Sequence, residues 1–554
     1  MADTVREIER KYEADDSTRL PDLTGVAGVA AIAEQGTVVL SATYYDTPDQ
    51  RLAADGITLR RRTGGGDAGW HLKLPVAPGV RDEVRMPLAD RLPDKLAALV
   101  RSRVRGARLT PLVHLRTRRT LRVLEDARGA PLAEVAVDEV VAHRVDGAAP
   151  AGAGPGTEAV CAADVAAGPG GADADGRPDG GGRTDGSGRM TVGVRWREVE
   201  VELVGDGAPG LLDAVEEAFA AAGVRPAGSA SKLARALAET APEEPAPVRA
   251  GGPRKPRKQP RTAGDAVLAY VGEQVRTITE LDPAVRRDLP DSVHRMRVAT
   301  RRLRSAFRSY GALLDRSVTD PIGNELKWLA GELGVDRDRE VLADRLHAGL
   351  ADLPRELRIG PVAARLRLWS QRRRLGSRQA LIAVLDGPRH LALLESLHAL
   401  MADPPLRQAA TRPPAKPMAK AVLKDYRRLA GRMAAALEVP AGPARDEALH
   451  GARKAAKRVR YAAEAATPTL GGPAKKFAKR MKRVQQLLGD HQDSVVAREA
   501  LRDLAVQAHG AGEGGFTFGL LYGREEAAAA ARERELPEVW RKASKPAHRR
   551  KLRG

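Results

Sequence analysis

The chain has 554 residues, with 92 Lys and Arg against 72 Asp and Glu, a formal net charge of +20 and one cysteine. That length exceeds what a single hydrophobic core organises, so two or more domains are expected, and 43% hydrophobic with 30% charged residues is the composition of a soluble globular protein. The basic excess asks for a polyanion; aromatics at 3% argue against single-stranded nucleic acid, whose bases need aromatic platforms, and the lone Cys161 excludes a disulfide framework or a cysteine metal cluster.

Residues 1–12 alternate acid and base without the apolar stretch of a signal peptide, and no apolar run reaches the roughly 18 residues of a membrane span. A reducing, cytoplasmic protein that does not engage membrane is the expectation. Segments 5–12, 57–62, 70–74, 113–124, 132–140 and 195–204 are short and alternating, which predicts strands. The Gly64-Gly65-Gly66 stretch follows a strand but opens no helix, so it reads as a hairpin turn rather than a phosphate loop.

Between the last two strands, residues 147–189 are dominated by Gly, Ala, Asp and Pro and predict a disordered insertion. Its acidic run 173–180 lacks the closing glutamate of a calcium loop. Residues 240–261 replace apolar periodicity with Pro, Gly, Lys and Arg and read as a linker, in which Arg254, Lys255, Arg257 and Lys258 form a basic tether.

Alternate side chains of a strand share a face. Glu7, Glu9 and Lys11 therefore project together, as do Glu198, Glu200 and Glu202, while Arg60 with Arg62 and His71 with Lys73 present cations. In 113–123 the apolar residues Val113, Leu115, Leu121 and Val123 share one parity, which leaves Arg116, Arg118 and Arg122 on the other. A barrel lined with carboxylates and guanidinium groups is costly when empty and sensible when filled by a phosphate chain and a divalent metal. Carboxylate oxygens suit Mg²⁺ or Mn²⁺, and arginine and lysine suit phosphate oxygens.

These residues resemble the CYTH superfamily, whose members include inorganic triphosphatases, thiamine triphosphatases and class IV adenylyl cyclases. Glu7, Glu9 and Lys11 form its ExExK signature. The resemblance continues through Tyr45-Asp46-Thr47, Leu59 to Arg62, Trp70 to Lys73, Arg81-Asp82-Glu83, Asp138, the Glu198 to Glu202 strand and Ser231-Lys232. It covers residues 3–238 and implies an α+β domain built on an antiparallel eight-stranded triphosphate tunnel.

It further implies that Glu7, Glu9 and Lys11 are catalytic and that Glu7, Glu9, Asp138, Glu200 and Glu202 hold Mg²⁺ or Mn²⁺, with Glu198 an alternative to either later acid. Lys11, Arg60, Arg62, Lys73, Arg81, Arg116, Arg118 and Lys232 then hold triphosphate; parity favours Arg118 over Arg119. Arg85 stands where the family often has a further acid, which reduces the ligand set on that side.

After the linker nearly every segment has helical spacing. His294, Arg297, Arg301, Arg302 and Arg304 recur 156 residues later as His450, Arg453, Lys457, Arg458 and Arg460, and Leu333, Gly334, Asp338 and Val341 are answered by Leu488, Gly489, Asp493 and Val496. Two related helical bundles packed as one domain are expected. Spacings of three, four and seven place His294, Arg297, Arg301, Arg304 and Arg308 on one helix face, and stacked like charges destabilise a helix unless a polyanion neutralises them.

The repeated pattern resembles the CHAD domain, an all-α domain associated with polyphosphate and often fused behind CYTH. It covers residues 262–545 and implies that His294, Arg297, Arg301, Arg302, Arg304, His450, Arg453, Lys457, Arg458 and Arg460 bind polyphosphate. The leading expectation is a metal-dependent hydrolase of tripolyphosphate with polyphosphate recruited by the helical domain, located in the cytoplasm in association with polyphosphate granules. The alternatives are a non-catalytic polyphosphate scaffold, thiamine triphosphatase activity, or cyclase chemistry, for which no base-reading motif is visible. Nucleic acid is supported by charge alone, and no feature fixes an oligomeric state.

Overall fold

The computed structural model describes residues 3–145, 193–205, 207–240 and 260–553, except for the side chains of 335–339 and 371–377. The tract 147–189 with its acidic run, and 241–259 of the linker with its basic cluster, lie outside the described residues. The chain divides into two compact units, Met1–Val248 and Arg249–Gly554.

The first unit contains β1 (Asp3–Ala14), β2 (Ala31–Asp46), α1 (Arg51–Ala54), β3 (Thr58–Thr63), β4 (Gly69–Ala77), β5 (Val80–Pro87), α2 (Asp94–Val104), β6 (Thr110–Glu125), β7 (Pro131–Arg144), β8 (Val194–Leu203), α3 (Gly210–Ala221) and α4 (Lys232–Glu239). The strands close into an antiparallel barrel in the order β1-β5-β4-β3-β2-β6-β7-β8, with β8 returning to β1. Closure pairs every strand on both sides and leaves no sheet edge. Strands β2 and β5 complete the eight; the first half of β2 is solvent-exposed on both faces, so no alternation marks it.

Two helices cover the outside. Leu211, Leu212, Val215 and Phe219 of α3 pack on Tyr12, Val199 and Val201, and Leu96, Leu99 and Val100 of α2 pack on Leu59, Trp70 and Leu72. Each large side chain so buried contributes about 1.5–3 kcal/mol. A third apolar cluster lies within the barrel, where Leu233 and Ala236 of α4 meet Val113, Leu115, Val140 and Trp196. One end of the interior is therefore greasy and the rest charged. The hairpin between β3 and β4 turns through Gly64 and Gly65, both at positive φ.

The second unit is helical: α5 (Ala263–Arg286), α6 (Ser292–Ser309), α7 (Arg316–Glu332), α8 (Gly334–Ala351), α9 (Val362–Asp386), α10 (Pro388–Ala402), α11 (Ala415–Glu438), α12 (Pro443–Ala465), α13 (Thr467–Leu470), α14 (Gly472–Gly510), α15 (Phe516–Ala543) and α16 (Pro546–Arg550). Thr262 and Asp265 form a capping box at the start of α5. The buried positions Val267, Val271 and Ile278 of α5 recur at Val422, Tyr426 and Met433 of α11, 155 residues on.

Helix α6 packs on α12, α6 also on α11, and α12 also on α5, the pattern of two helix pairs related by an approximate two-fold. Their inward faces, Leu303 and Val459 among them, join one core. Among the described residues no helix is long and apolar enough to cross a membrane.

Candidate functional site

The pleat of β1 turns Glu7, Glu9 and Lys11 into the barrel and leaves Arg10 outside, where it pairs with Asp213 and Glu216 of α3. The register sets Glu9 opposite Glu202 and Lys11 opposite Glu200. Lys73 Nζ lies 2.7 Å from Glu7 Oε2, and Glu9 takes Lys11 Nζ at 3.0 Å and Arg81 Nη1 at 3.1 Å. The Lys11 ammonium also pairs with Glu200.

Deeper in, three carboxylates converge. Ligand oxygens of Asp138, Glu198 and Glu200 lie within 4.8 Å of one another. Lys232, at the first position of α4, reaches all three, at 2.8, 2.8 and 2.6 Å respectively. Ser231 caps that helix through the Ala234 amide, which fixes where Lys232 enters. Burial would neutralise the Lys232 ammonium, yet Asp138, Glu200 and Glu198 outweigh it and hold its pKa well above the ordinary lysine value.

Arg119 Nη2 lies 2.7 Å from Asp138 and 2.6 Å from Glu200. This corrects the parity reading of β6. Arg116 and Arg118 are exposed on the outer face, with Arg118 3.8 Å from Glu139 across the sheet, and Arg122 faces out to Glu34. Val113 and Leu115 of β6 point inward because they pack against the α4 cluster inside the barrel, so Arg119, which shares their parity, points inward too.

Arg60 and Arg62 enter from β3. Arg60 donates to Tyr44 Oη at 3.2 Å. Burial, with Arg60 and Arg119 nearby, pulls Arg62 down to about 9, and its guanidinium rests on Asp67. His71 is not the cation that strand alternation implies: burial brings it to about 4, and its neutral ring contacts Glu83 at 2.9 Å and the Asp67 carbonyl at 2.8 Å. Arg85 lies against Glu83 and 3.7 Å from Glu7, so a guanidinium stands where the resemblance implies a further acid.

Glu202 is the tunnel carboxyl without an ion pair among the described residues. Burial, then Glu7 and Glu9, raise it to about 7. With Glu7 and Glu9 beside it, Glu202 gives an all-oxygen donor set of the kind that suits a hard divalent cation. The interior thus holds acidic clusters able to take a metal beside cations able to take phosphate.

In the helical unit the ten stripe residues divide into three groups. Arg297, Arg301, Arg453 and Lys457 gather where α6 and α12 cross; burial, with Arg453, Arg301 and Arg297 around it, pulls Lys457 down to about 7. His450 adjoins them, its pKa lowered by burial, Lys454 and Arg453, and His294 is half-buried one turn before Arg297. Arg302 and Arg460 turn aside: each lies 3.2 Å from Glu464 and over the Tyr461 ring. Arg304 and Arg458 open into a cavity of about 530 Å³.

The glycine echo has a physical origin. A Cβ at Gly334 would stand 2.9 Å from Arg297 Nη2, and one at Gly489 3.5 Å from Arg453 Nε, so each repeat lays its arginine across a glycine. Asp493 stands 3.7 Å from Arg453, and the Asp338 side chain lies outside the described residues. Val341 and Val496 are exposed, and nothing in the structure explains their recurrence.

Sequence reasoning missed the cavity's other walls, including Arg316, Lys424 and Arg428, because no local pattern ties α7 and α11 to the stripe. A second acidic group, Asp446, His491 and Glu533, is also within metal-ligand spacing. Arg498 and Arg445 already pair with its two carboxylates.

Comparison with known proteins gives a CYTH domain over residues 5–237 and a CHAD domain over 269–502. An uncharacterized protein of Mycobacterium tuberculosis (strain H37Rv) is 39% identical over 549 residues, covering 96% of this chain and 95% of that protein. Thiamine-triphosphatase of Homo sapiens is 39% identical over 82 residues, 14% of this chain and 31% of that protein. Among solved structures, PptA from Streptomyces chartreusis is 21% identical with a TM-score of 0.44, covering 50% of this chain and 99% of that one. The CHAD domain from the plant Ricinus communis is 26% identical with a TM-score of 0.41, covering 51% and 92%.

Proposed function

The chain belongs to the CYTH and CHAD domain families, and from that premise we propose that its barrel hydrolyses inorganic triphosphate with Mg²⁺ or Mn²⁺ while its helical unit binds polyphosphate. The observation that carries the first half is a closed barrel whose interior sets acidic clusters against Arg60, Arg62, Lys73, Arg119 and Lys232. A wet sheet face does not explain it, because these groups are enclosed.

Glu7, Glu9 and Glu202 would hold a divalent cation. Asp138, Glu198 and Glu200 are engaged by Lys232 and Arg119, and would be free for one once those cations turn to phosphate. The cation supplies charge neutralisation at the phosphate oxygens and acidifies water. The chain's own groups do the rest: Arg60, Arg62 and Arg119 orient the phosphates, and Lys11, held between Glu9 and Glu200, is placed to follow charge as it develops. Glu202, at about 7, is poised to exchange a proton near neutrality.

The 82-residue likeness to thiamine-triphosphatase keeps an organic triphosphate in view as substrate. Phosphate release from tripolyphosphate, thiamine triphosphate and ATP, each with Mg²⁺ and Mn²⁺, ranks them. Tripolyphosphate first supports the inorganic reading, and thiamine triphosphate first replaces it. Absence of release from all three would leave a binding protein.

A further inference from the structure

The approximate two-fold that relates α5 and α6 to α11 and α12 should make two equivalent niches, one on each side of the crossing. Under that relation Arg302 corresponds to Arg458 and Arg304 to Arg460, so Arg302 beside Arg460 on one side matches Arg304 beside Arg458 on the other. The charges beyond them differ. The counterpart of Glu464, which holds Arg302 and Arg460 at 3.2 Å each, is Arg308, which lines the cavity with Arg304 and Arg458. On the neighbouring helices, Glu273 of α5 corresponds to Arg428 of α11.

Two acids on one side are thus two arginines on the other. On the acidic side, Arg302, Glu464, Tyr461 and Glu273 all bear on the Tyr270 hydroxyl, so these groups are neighbours. That niche is self-neutralised and covered by the Tyr461 ring. On the basic side, Arg304, Arg308, Lys424, Arg428 and Arg458 have no ion-pair partner among the described residues, and Asp320 is taken by Arg316 at 2.7 Å. Asp425 is the acid that bears on Arg458, Arg428 and Lys424, and its carboxylate, raised by burial, accepts from Ser309 Oγ at 2.5 Å.

Like charges around an open cavity repel unless an anion joins them. Beyond its burial Arg304 registers that repulsion from Arg308 and Arg458, and Arg458 registers it from Arg308, Arg428 and Arg432 against the attraction of Asp425. A cavity of about 530 Å³ is larger than one phosphate group requires and of small-ligand size. Guanidinium groups suit the bidentate geometry of phosphate oxygens.

We infer that this cavity seats a segment of a linear phosphate chain, one per domain, and that charge reversal at 308/464 and 428/273 closes the two-fold-related niche. The inference rests on the reading of the helical unit as a polyphosphate binder and assigns the place and the stoichiometry. Lys424 and Arg428 of α11 become ligands alongside the stripe residues Arg304 and Arg458, and Arg302 and Arg460 become structural.

The test is titration of the full chain with inorganic polyphosphate in chelator, which suppresses cation-dependent occupation of the barrel. Arg308→Glu and Arg428→Glu should each weaken binding by about 10-fold or more, as loss and reversal of phosphate contacts demands, whereas Arg502→Glu, the same charge change on the exposed face of α14, should cost under about 2-fold. Gly323→Phe, which fills the cavity without changing charge, should weaken binding as the reversals do. Lys424→Ala, an exposed truncation, reads the same cavity should a reversal unfold the chain. If these variants all bind like Arg502→Glu while Lys457→Glu abolishes binding, the polyphosphate reading stands and this site is wrong. If the unaltered chain binds no polyphosphate, both fall.

Discussion

The two units meet the same problem, how to keep many charges close together, with opposite solutions. In the barrel each cation has an anion: Lys232 touches three carboxylates and Arg119 two, all largely enclosed. In the helical unit the Lys457 ammonium has Arg453, Arg301 and Arg297 around it, whose repulsion together with burial outweighs the attraction of Asp493. A balanced interior folds stably without ligand and exchanges partners when one arrives. Repulsion at a buried ammonium such as Lys457 is a strain that a polyanion relieves. One carboxyl and one ammonium, each outweighed by burial and like charge, mirror each other: Glu202 is pushed up to about 7 and Lys457 down to about 7.

Removing one cation from each unit should break the comparison most sharply. Lys232→Ala leaves Asp138, Glu198 and Glu200 short of a counter-charge inside the barrel and should destabilise that unit by about 3–5 kcal/mol, read from its urea midpoint. A loss under about 1 kcal/mol would mean the cluster is wet and screened.

Within the barrel the next effect separates its two faces. Arg119→Ala should cost about 10- to 100-fold in kcat/KM for triphosphate, since Arg119 lies inside, and Arg118→Ala should leave it unchanged. Equal losses from both would return the strand to the reading by parity.

The groove should respond with the opposite sign. Lys457→Ala removes a crowded cation and should stabilise the helical unit by about 1 kcal/mol while weakening polyphosphate binding, measured by urea midpoint and titration. Destabilisation would show that Lys457 serves the fold.

The smallest effect is the exchange of protons. Glu202 raised to about 7 is half protonated at pH 7, so taking up a divalent cation should release about half a proton, and cation affinity should rise with pH up to that value. Lys457 lowered to about 7 is half neutral, so polyphosphate should bring in about half a proton, with affinity falling as pH climbs above 7. Calorimetry in buffers of different ionisation heat reads both; the same sign in the two titrations would end the mirror relation.

Much of this was legible in the residues and some was not, for physical reasons. Strands β1 and β8 show their charged faces because the acids Glu7, Glu9, Glu198, Glu200 and Glu202 alternate with Ile8, Val199, Val201 and Leu203, which face outward. Strand β6 misleads because part of the barrel interior is itself apolar, so the rule that apolar residues point away from a charged tunnel fails where α4 packs inside. Strand β2 carries little alternation because its first half is wet on both sides. Periodicity marked six of the eight strands and the all-α second unit, and the closed eight-stranded barrel came from the resemblance to the CYTH superfamily. The stripes on α6 and α12 are visible as a repeat, but which arginine faces which cavity depends on Glu464 and Arg428, residues whose significance appears only when the two halves are superposed.

The central claim is that the barrel is a cation-dependent triphosphate hydrolase, and the direct measurement is phosphate release from tripolyphosphate by the full chain and by Glu9→Ala, each with and without Mg²⁺ or Mn²⁺. Glu9 lies between Lys11 and Arg81 and opposite Glu202, and its loss should cut release by about 10²- to 10³-fold, while chelator abolishes release from the unaltered chain. Release that survives both the chelator and Glu9→Ala, or no release under any condition, would contradict it.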